Sequence, residues 1–283
     1  MPIQFNEFYH ENTGLTVGIK KLLFSEQTKF QLIEVYETDT WGNLMTIDGM
    51  VMLSEKDEFV YHEMVAHPVM FAHPNPENVL IIGGGDGGTA REVLKHSSVK
   101  HVDMVEIDEA VVRASKEFFP GVGAWEDERL NVLFEDGIAF VQNAKAEYDV
   151  VIIDGSDPVG PAEGLFEKDF FQYCFDALKE DGVLSAQTES PWVKEYHPSI
   201  RKVFDALNDV YSESAMYLGF IPLYPAGMWS FAFASKGINI QSAEVLERVE
   251  KGIREFEDSL KYYNKAIHQG AFALPGFVAE IIG

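Results

Sequence analysis

VLIIGGGDGGTAREV, residues 79–93, opens with four apolar residues, Val79 to Ile82, and then packs five glycines and Asp86 into six positions. From Thr89 it continues as the first turns of a helix that reaches Leu94. A strand, a glycine turn and a helix make a cofactor-binding corner. Glycine allows close backbone approach, and the first turn of the helix offers free N–H groups. Gly83, Gly85 and Gly88 satisfy G-x-G-x-x-G in the context that motif needs. Asp86, inside the turn, is out of place for a dinucleotide. Its carboxylate would repel a pyrophosphate and attract a cation.

Working outward, strands and helices alternate. Strands are expected at Val102–Ile107, Leu130–Phe134, Tyr148–Ile153 and Gly182–Thr188. Helices are expected at Glu109–Phe119, Ile138–Ala144, Lys168–Lys179 and Pro198–Asn208. Val111, Ala114, Ser115 and Phe118 recur at helical spacing, as do Phe171, Cys174, Phe175 and Leu178. Such alternation predicts a parallel, doubly wound α/β sheet whose ligands sit at the carboxyl ends of the strands. Met216–Pro222 and Met228–Ala234, joined by Tyr224-Pro225-Ala226-Gly227, predict an antiparallel hairpin at the edge. Ser242–Phe256 reads as a charged amphipathic helix, and Gly270–Gly283 has no reading beyond packing.

Ahead of this domain, Thr16–Lys21, Phe30–Thr38, Leu44–Ile47 and Val51–Leu53 are short strand candidates, with a hairpin signal at Asp48-Gly49. They predict a small antiparallel β domain over residues 1–55, leaving 56–283 for the α/β domain. Lys56–Ala72 reads as a helix that Pro68 should kink or end. It carries His62, Glu63 and His67, but a five-residue interval splays the two imidazoles, so no metal site is expected. Tyr61 and His62 are placed where they could line a cleft.

The 283 residues are 46% hydrophobic, which suits a globular core. No apolar run approaches the roughly 20 residues that cross a bilayer, and the N-terminus lacks the pattern of a signal peptide. A single cysteine, Cys174, excludes an intramolecular disulfide, and a cytoplasmic setting is expected. The formal charge of −24 argues against nucleic acid as a partner, because phosphate binding needs clustered Lys and Arg. It suits solubility or the steering of a cationic ligand.

Successive strands end in acids: Asp86 in the first turn, then Glu106, Asp136, and Asp154 with Asp157, while Glu189 ends the fifth. One such acid is ordinarily a helix N-cap. A whole row of them, converging on one crevice, points to function. Glu106 follows Gly83 by 23 residues, where a carboxylate accepts from ribose hydroxyls. Asp136-Gly137 could reach an adenine amino group. Together they favour an adenosyl compound without pyrophosphate. The remaining acids suit a divalent metal or, better, a cationic ligand, with Tyr61 and Tyr224 as cation–π or hydroxyl partners.

These segments resemble spermidine synthase, the polyamine aminopropyltransferase family, over nearly the whole length. The resemblance rests on Gly83–Gly88, Val105-Glu106-Ile107-Asp108, Glu135-Asp136-Gly137, Asp154-Gly155-Ser156-Asp157-Pro158, Gln187-Thr188-Glu189-Ser190 and Tyr224-Pro225-Ala226-Gly227. It implies a Rossmann-like, class I methyltransferase-type sheet. It also implies transfer of an aminopropyl group from decarboxylated S-adenosylmethionine, as co-substrate, to putrescine, with no prosthetic group. By motif match Glu106, Asp136 and Gly137 would hold the nucleoside, joined by Gln31 and Pro161, and Asp86 would bind the donor ammonium. Asp154 would be the catalytic base, and Tyr61, His62, Asp157, Glu189 and Tyr224 would form the acceptor channel. The segment 155–166 would close over the ligands. A homodimer or homotetramer is implied. A methyltransferase, an NAD-dependent oxidoreductase and a polyamine-binding protein without catalysis are the competing readings.

Overall fold

The computed structural model describes residues 3–10, 12–155, 164–165, 167–256 and 259–283. Residues 3–54 form one antiparallel sheet in sequential order: β1 (Ile3–His10), β2 (Thr13–Gln27), β3 (Leu32–Thr38), β4 (Asn43–Ile47) and β5 (Met50–Ser54). The β4–β5 hairpin turns on Asp48 and Gly49, at φ +49° and +80°. Positive φ at both central residues matches the right-handed twist of the flanking strands, which is why Asp-Gly signals this turn. β1 falls in a stretch that the sequence reading left without a strand, and β2 is longer than expected.

The second sheet holds β6 (Asn78–Gly83), β7 (His101–Val105), β8 (Leu130–Leu133), β9 (Tyr148–Asp154), β10 (Leu178–Glu189), β11 (Glu213–Phe220) and β12 (Met228–Ser235). Their spatial order is β11-β12-β10-β9-β6-β7-β8. The five strands from β10 to β8 run parallel, and β12 and β11 add the antiparallel hairpin. This is the Rossmann-like, methyltransferase-type arrangement. In β6, Val79 and Ile81 enter the core on one face while Leu80 and Ile82 enter the core on the other. A strand covered on both faces must be apolar at every position, so the run reads as continuous rather than alternating.

The helices are α1 (Glu58–Ala72), α2 (Gly88–Leu94), α3 (Glu109–Phe118), α4 (Gly137–Asn143), α5 (Lys168–Ala177), α6 (His197–Val210), α7 (Ala243–Gly252), α8 (Lys265–Ala271) and α9 (Gly276–Ile282). Three expectations are corrected. First, Pro68 does not end α1, which runs on to Ala72. Proline cannot donate to the carbonyl four residues back, Met64 O, but the buried Tyr217 hydroxyl donates to it at 3.0 Å. Second, α5 stops at Ala177 and β10 begins at once, so Leu178 and Lys179 are strand. Third, α8 runs into the start of the tail and α9 lies within it, and the helix expected over Ser242–Phe256 is α7, capped by Ser242, followed by a 3-10 turn over Ile253–Phe256.

The N-terminal sheet is seated on α3. Ile33, Val35, Met45 and Leu53 share an apolar core with Ala110, Val111 and Ala114. This contact brings β3, β4 and β5 over the carboxyl ends of β6, β7 and β9. Among the described residues, no helix is long and apolar enough to cross a membrane.

Candidate active site

The cleft under that roof has about 970 Å3 of space including its open mouth. Gly83, Gly84 and Gly85 form part of its wall, and Asp86, Glu106, Asp136 and Asp154 bring four carboxylates to it. Among the described residues, no Lys, Arg or His lines it. Gln31, Met45, Ile47 and Met52 close it from the N-terminal sheet. Four of the expected strand-end acids, Asp86, Glu106, Asp136 and Asp154, therefore converge, because parallel strands end on one side and short turns leave their carboxylates there.

At one end of the cleft, Glu106 is buried and accepts from the Asp108 backbone N–H at 2.9 Å. Burial pushes its carboxyl up to about 7, with the charges of Asp108 and Asp154 adding to it and backbone N–H bonds from Asp108 and Gly85 opposing. Gln31 Nε2 donates to Asp108 Oδ2 at 3.2 Å, which ties the roof to the end of β7. Asp108 also caps α3. Asp136 is exposed and caps α4, with Oδ1 accepting from Ile138 N at 2.8 Å and Ala139 N at 3.2 Å. Capping and lining are compatible in Asp136, since its second oxygen makes neither of these bonds.

At the other end, both oxygens of Asp154 are held. Tyr61 Oη donates to Oδ1 at 2.6 Å and Thr89 Oγ1 to Oδ2 at 2.6 Å. Gly84 N–H donates to the Asp154 carbonyl at 2.8 Å, pinning the end of β9 to the glycine turn. Burial raises the Asp154 carboxyl and the nearby Asp86 raises it further, while His62 and the two hydroxyls oppose this. Asp86 Oδ1 accepts from Gly88 N–H at 2.7 Å. The Tyr61 and Tyr224 rings lie 5.7 Å apart. Their hydroxyls are engaged, Tyr61 with Asp154 and Tyr224 with Met52 O at 2.8 Å.

A side chamber opens past Tyr61 and Tyr224, lined by Glu7, Met50, Gln187 and Trp229. Glu7, buried on β1, accepts from Val51 N–H at 2.7 Å. Gln187 Nε2 donates to Gly155 O at 3.1 Å.

Not every expected residue is here. Glu189 is buried and does not line the cleft. The β10–β12 register shifts between Gln187 and Glu189, and Glu189 has φ +104°, so the strand end is turned at that point and Gln187 faces the chamber instead. His62 also stays outside the cleft, between Glu58 and Asp86. Asp157, Pro161 and most of segment 155–166 lie outside the described residues. Thr89, Glu7 and Gln187 are additions. Nothing in their local spacing marks them, since a Thr opening a helix and polar residues in strands are commonplace.

The histidines of α1 have separate tasks. His67 Nε2 is 3.0 Å from Glu92 Oε2 and its Nδ1 is 3.0 Å from His96 Nε2, in a buried cluster away from the cleft. Glu63 accepts the backbone N–H groups of Lys261, Tyr262 and Tyr263 at 2.7–2.9 Å, clasping the C-terminal segment. Among the described residues, no group of three or more His, Cys, Asp and Glu is arranged to hold a metal ion.

Comparison with known proteins agrees with this geometry. Residues 58–244 match the spermine/spermidine synthase domain, and residues 3–55 match the spermidine synthase tetramerisation domain. Polyamine aminopropyltransferase 1 of Bacillus cereus is 46% identical over 284 residues, covering 100% of both chains. The polyamine aminopropyltransferase of Bacillus subtilis is 44% identical over 280 residues, 98% of each. A crystal structure of spermidine synthase in complex with the transition-state analogue AdoDATO superposes with a TM-score of 0.94 at 41% identity, covering 100% of this chain and 97% of that one. Spermidine synthase from Thermotoga maritima superposes at 0.92 with 41% identity, covering 100% and 96%.

Proposed function

The chain belongs to the spermine/spermidine synthase family and is an aminopropyltransferase, and from that premise we propose that it carries the aminopropyl group of decarboxylated S-adenosylmethionine to putrescine, with Asp154 as general base. The products are spermidine and 5′-methylthioadenosine. The observation that carries this reading is the pairing of Asp154, gripped by Tyr61 and Thr89, with Asp86 in a cleft that no Lys, Arg or His lines among the described residues.

The donor lies with its ribose hydroxyls on Glu106 and its adenine edge at Asp136 and Gly137, beneath Gln31. Its terminal ammonium meets Asp86. The acceptor enters past the faces of Tyr61 and Tyr224, which can attract a cation while their hydroxyls are engaged. Its distal ammonium sits in the side chamber near Glu7 and Gln187. An aliphatic ammonium holds its proton at neutral pH, so the near end must lose it before it can attack. Asp154 takes that proton. The amine lone pair then forms the new C–N bond at the methylene beside the sulfonium, the C–S bond breaks, and its electron pair leaves sulfur as a neutral thioether. The rest is positioning, which supplies much of the rate in reactions of this kind. By resemblance, Asp157 joins the acceptor site and Pro161 the nucleoside site, and the chain works as a cytoplasmic homodimer or homotetramer.

The test is a methylthioadenosine-release assay across diamines of different length. Putrescine should be the best acceptor, and Asp154→Asn should lower kcat by about 10²–10⁴-fold while leaving methylthioadenosine binding intact. Tight putrescine binding with no product release would leave a polyamine-binding protein instead.

A further inference from the structure

Three side chains outside the cleft, Arg91 and the buried Glu58 and His62, form a line that ends on Asp86. Arg91, on α2, donates Nη1 to Glu58 Oε1 at 3.1 Å and Nη2 to Glu58 Oε2 at 2.9 Å. Arg91 is itself held by Glu92 Oε1 at 2.7 Å and Val122 O at 2.9 Å. Glu58 Oε2 lies 2.6 Å from His62 Nδ1, and His62 Nε2 lies 3.2 Å from Asp86. The charges alternate along the line. The His62 side chain is 1% exposed and that of Glu58 8%, so water screens that pair little, and Arg91 and Asp86 at the ends are 18% exposed.

We propose that Arg91 and Glu58 are positioning residues of the transfer: Arg91 fixes Glu58, Glu58 orients the His62 imidazole, and His62 holds Asp86 and sets a positive charge beside both Asp86 and Asp154. This rests on the reading of Asp86 as the donor's ammonium site. The need for such a device follows from the chemistry. Asp86 and Asp154 share one end of the cleft, and neighbouring carboxylates resist ionising together. Yet one must be an anion to hold the ammonium and the other to take a proton.

The surroundings fit the role. Burial works against charge on His62, but Asp86 and Glu58 outweigh it and raise its pKa to about 10. Burial likewise works against charge on Glu58, but His62 and Arg91 bring its carboxyl down to about 2. The charged and titratable groups around His62 are Glu58 and Tyr61 on α1, Asp86 in the glycine turn and Arg91 on α2. Those around Asp154 are Asp86, His62 and Tyr61, with Glu106 across the cleft.

The test compares binding of decarboxylated S-adenosylmethionine with that of methylthioadenosine, which lacks the aminopropyl ammonium, together with the pH profile of kcat. Glu58→Gln should cost the donor about tenfold in affinity, as loss of a charge-assisted contact does, and leave methylthioadenosine within about twofold. Its acid limb should move up by about one pH unit, because the cation opposing protonation of the two acids is weakened. Arg91→Lys, which keeps the charge but loses the two-pronged grip, should shift both readouts in the same direction and by less. A merely structural role would weaken both ligands together and leave the acid limb in place, and that result overturns the proposal. Asp86→Asn separates the two readings. If it loses the donor's advantage while Glu58→Gln and Arg91→Lys keep it, only the relay falls. If Asp86→Asn keeps that advantage, the ammonium site falls and the relay with it.

Discussion

Glu106 is poised to couple ligand binding to pH. Its carboxyl is pushed up to about 7 by burial, and ribose hydroxyls donate best to the ionised form. Methylthioadenosine should therefore bind more tightly as pH rises from 6 to 8, and Glu106→Gln should flatten that dependence. Stability moves the opposite way. A carboxyl whose folded pKa lies above its unfolded value of about 4.3 keeps its proton longer when folded. Its favourable contribution is complete below the unfolded value and is lost as pH rises toward 7. The ligand-free wild type should lose thermal stability over that window relative to Glu106→Gln, measured by calorimetry. Legibility at this scale follows position. Glu106, Asp136 and Asp154 could be found because strand ends in a parallel sheet converge whatever the details. Thr89, Glu58 and Glu7 could not, because each matters through a partner distant in sequence: Asp154, Arg91 and the side chamber.

At the level of elements, patterning located the helices and strands of the α/β domain well and failed where a tertiary contact overrode a local rule. Pro68 is the clearest case. The missing N–H leaves Met64 O without its helical partner, and the Tyr217 hydroxyl supplies a substitute from β11. Tyr217→Phe should then destabilise by about 1–3 kcal/mol, the usual cost of an unsatisfied buried carbonyl. In a Pro68→Ala background, where the helix can make its own bond, the same change should cost measurably less. Equal costs in both backgrounds, measured by denaturant unfolding, would refute the substitution of one donor for the other. Glu189 is the reverse case. Its place at the end of β10 was readable, but the register shift beside it was not, and that shift presents Gln187 to the chamber in its place. The two C-terminal helices are no shorter than α2 and α4, but they follow the last strand, so no strand–helix alternation marks them as it marks those two.

For the whole molecule, the relevant quantities are the charge and the docking of the two sheets. A formal charge of −24 surrounds a cleft whose only charged lining groups, among the described residues, are acids. A dication diffusing toward it is drawn in over roughly a Debye length, about 8 Å at physiological ionic strength. Raising salt from 0.05 to 0.5 M should raise KM for putrescine several-fold while leaving kcat nearly unchanged. Binding of uncharged methylthioadenosine should be indifferent to salt. If both ligands respond alike, steering is not the cause. The roof laid by β3, β4 and β5 belongs to this scale too. No reading of residues 1–55 by themselves could show that their apolar face rests on α3 and so closes the cleft over the glycine turn.

Gly88 and His62 share a single volume. A Cβ on Gly88 would lie 2.2 Å from the His62 ring, so the third glycine of the G-x-G-x-x-G motif is there for the imidazole as well as for the helix that it opens. That makes the order of mutation matter for descent within this fold. Any side chain at position 88 is closed off while an imidazole stands at 62, and the route opens only after position 62 has become smaller. A lineage that gives up the imidazole first can then fill the turn, and each later substitution at 88 makes the return harder. The two positions are thus coupled by space alone: a side chain at 88 fits only where the residue at 62 leaves room for it.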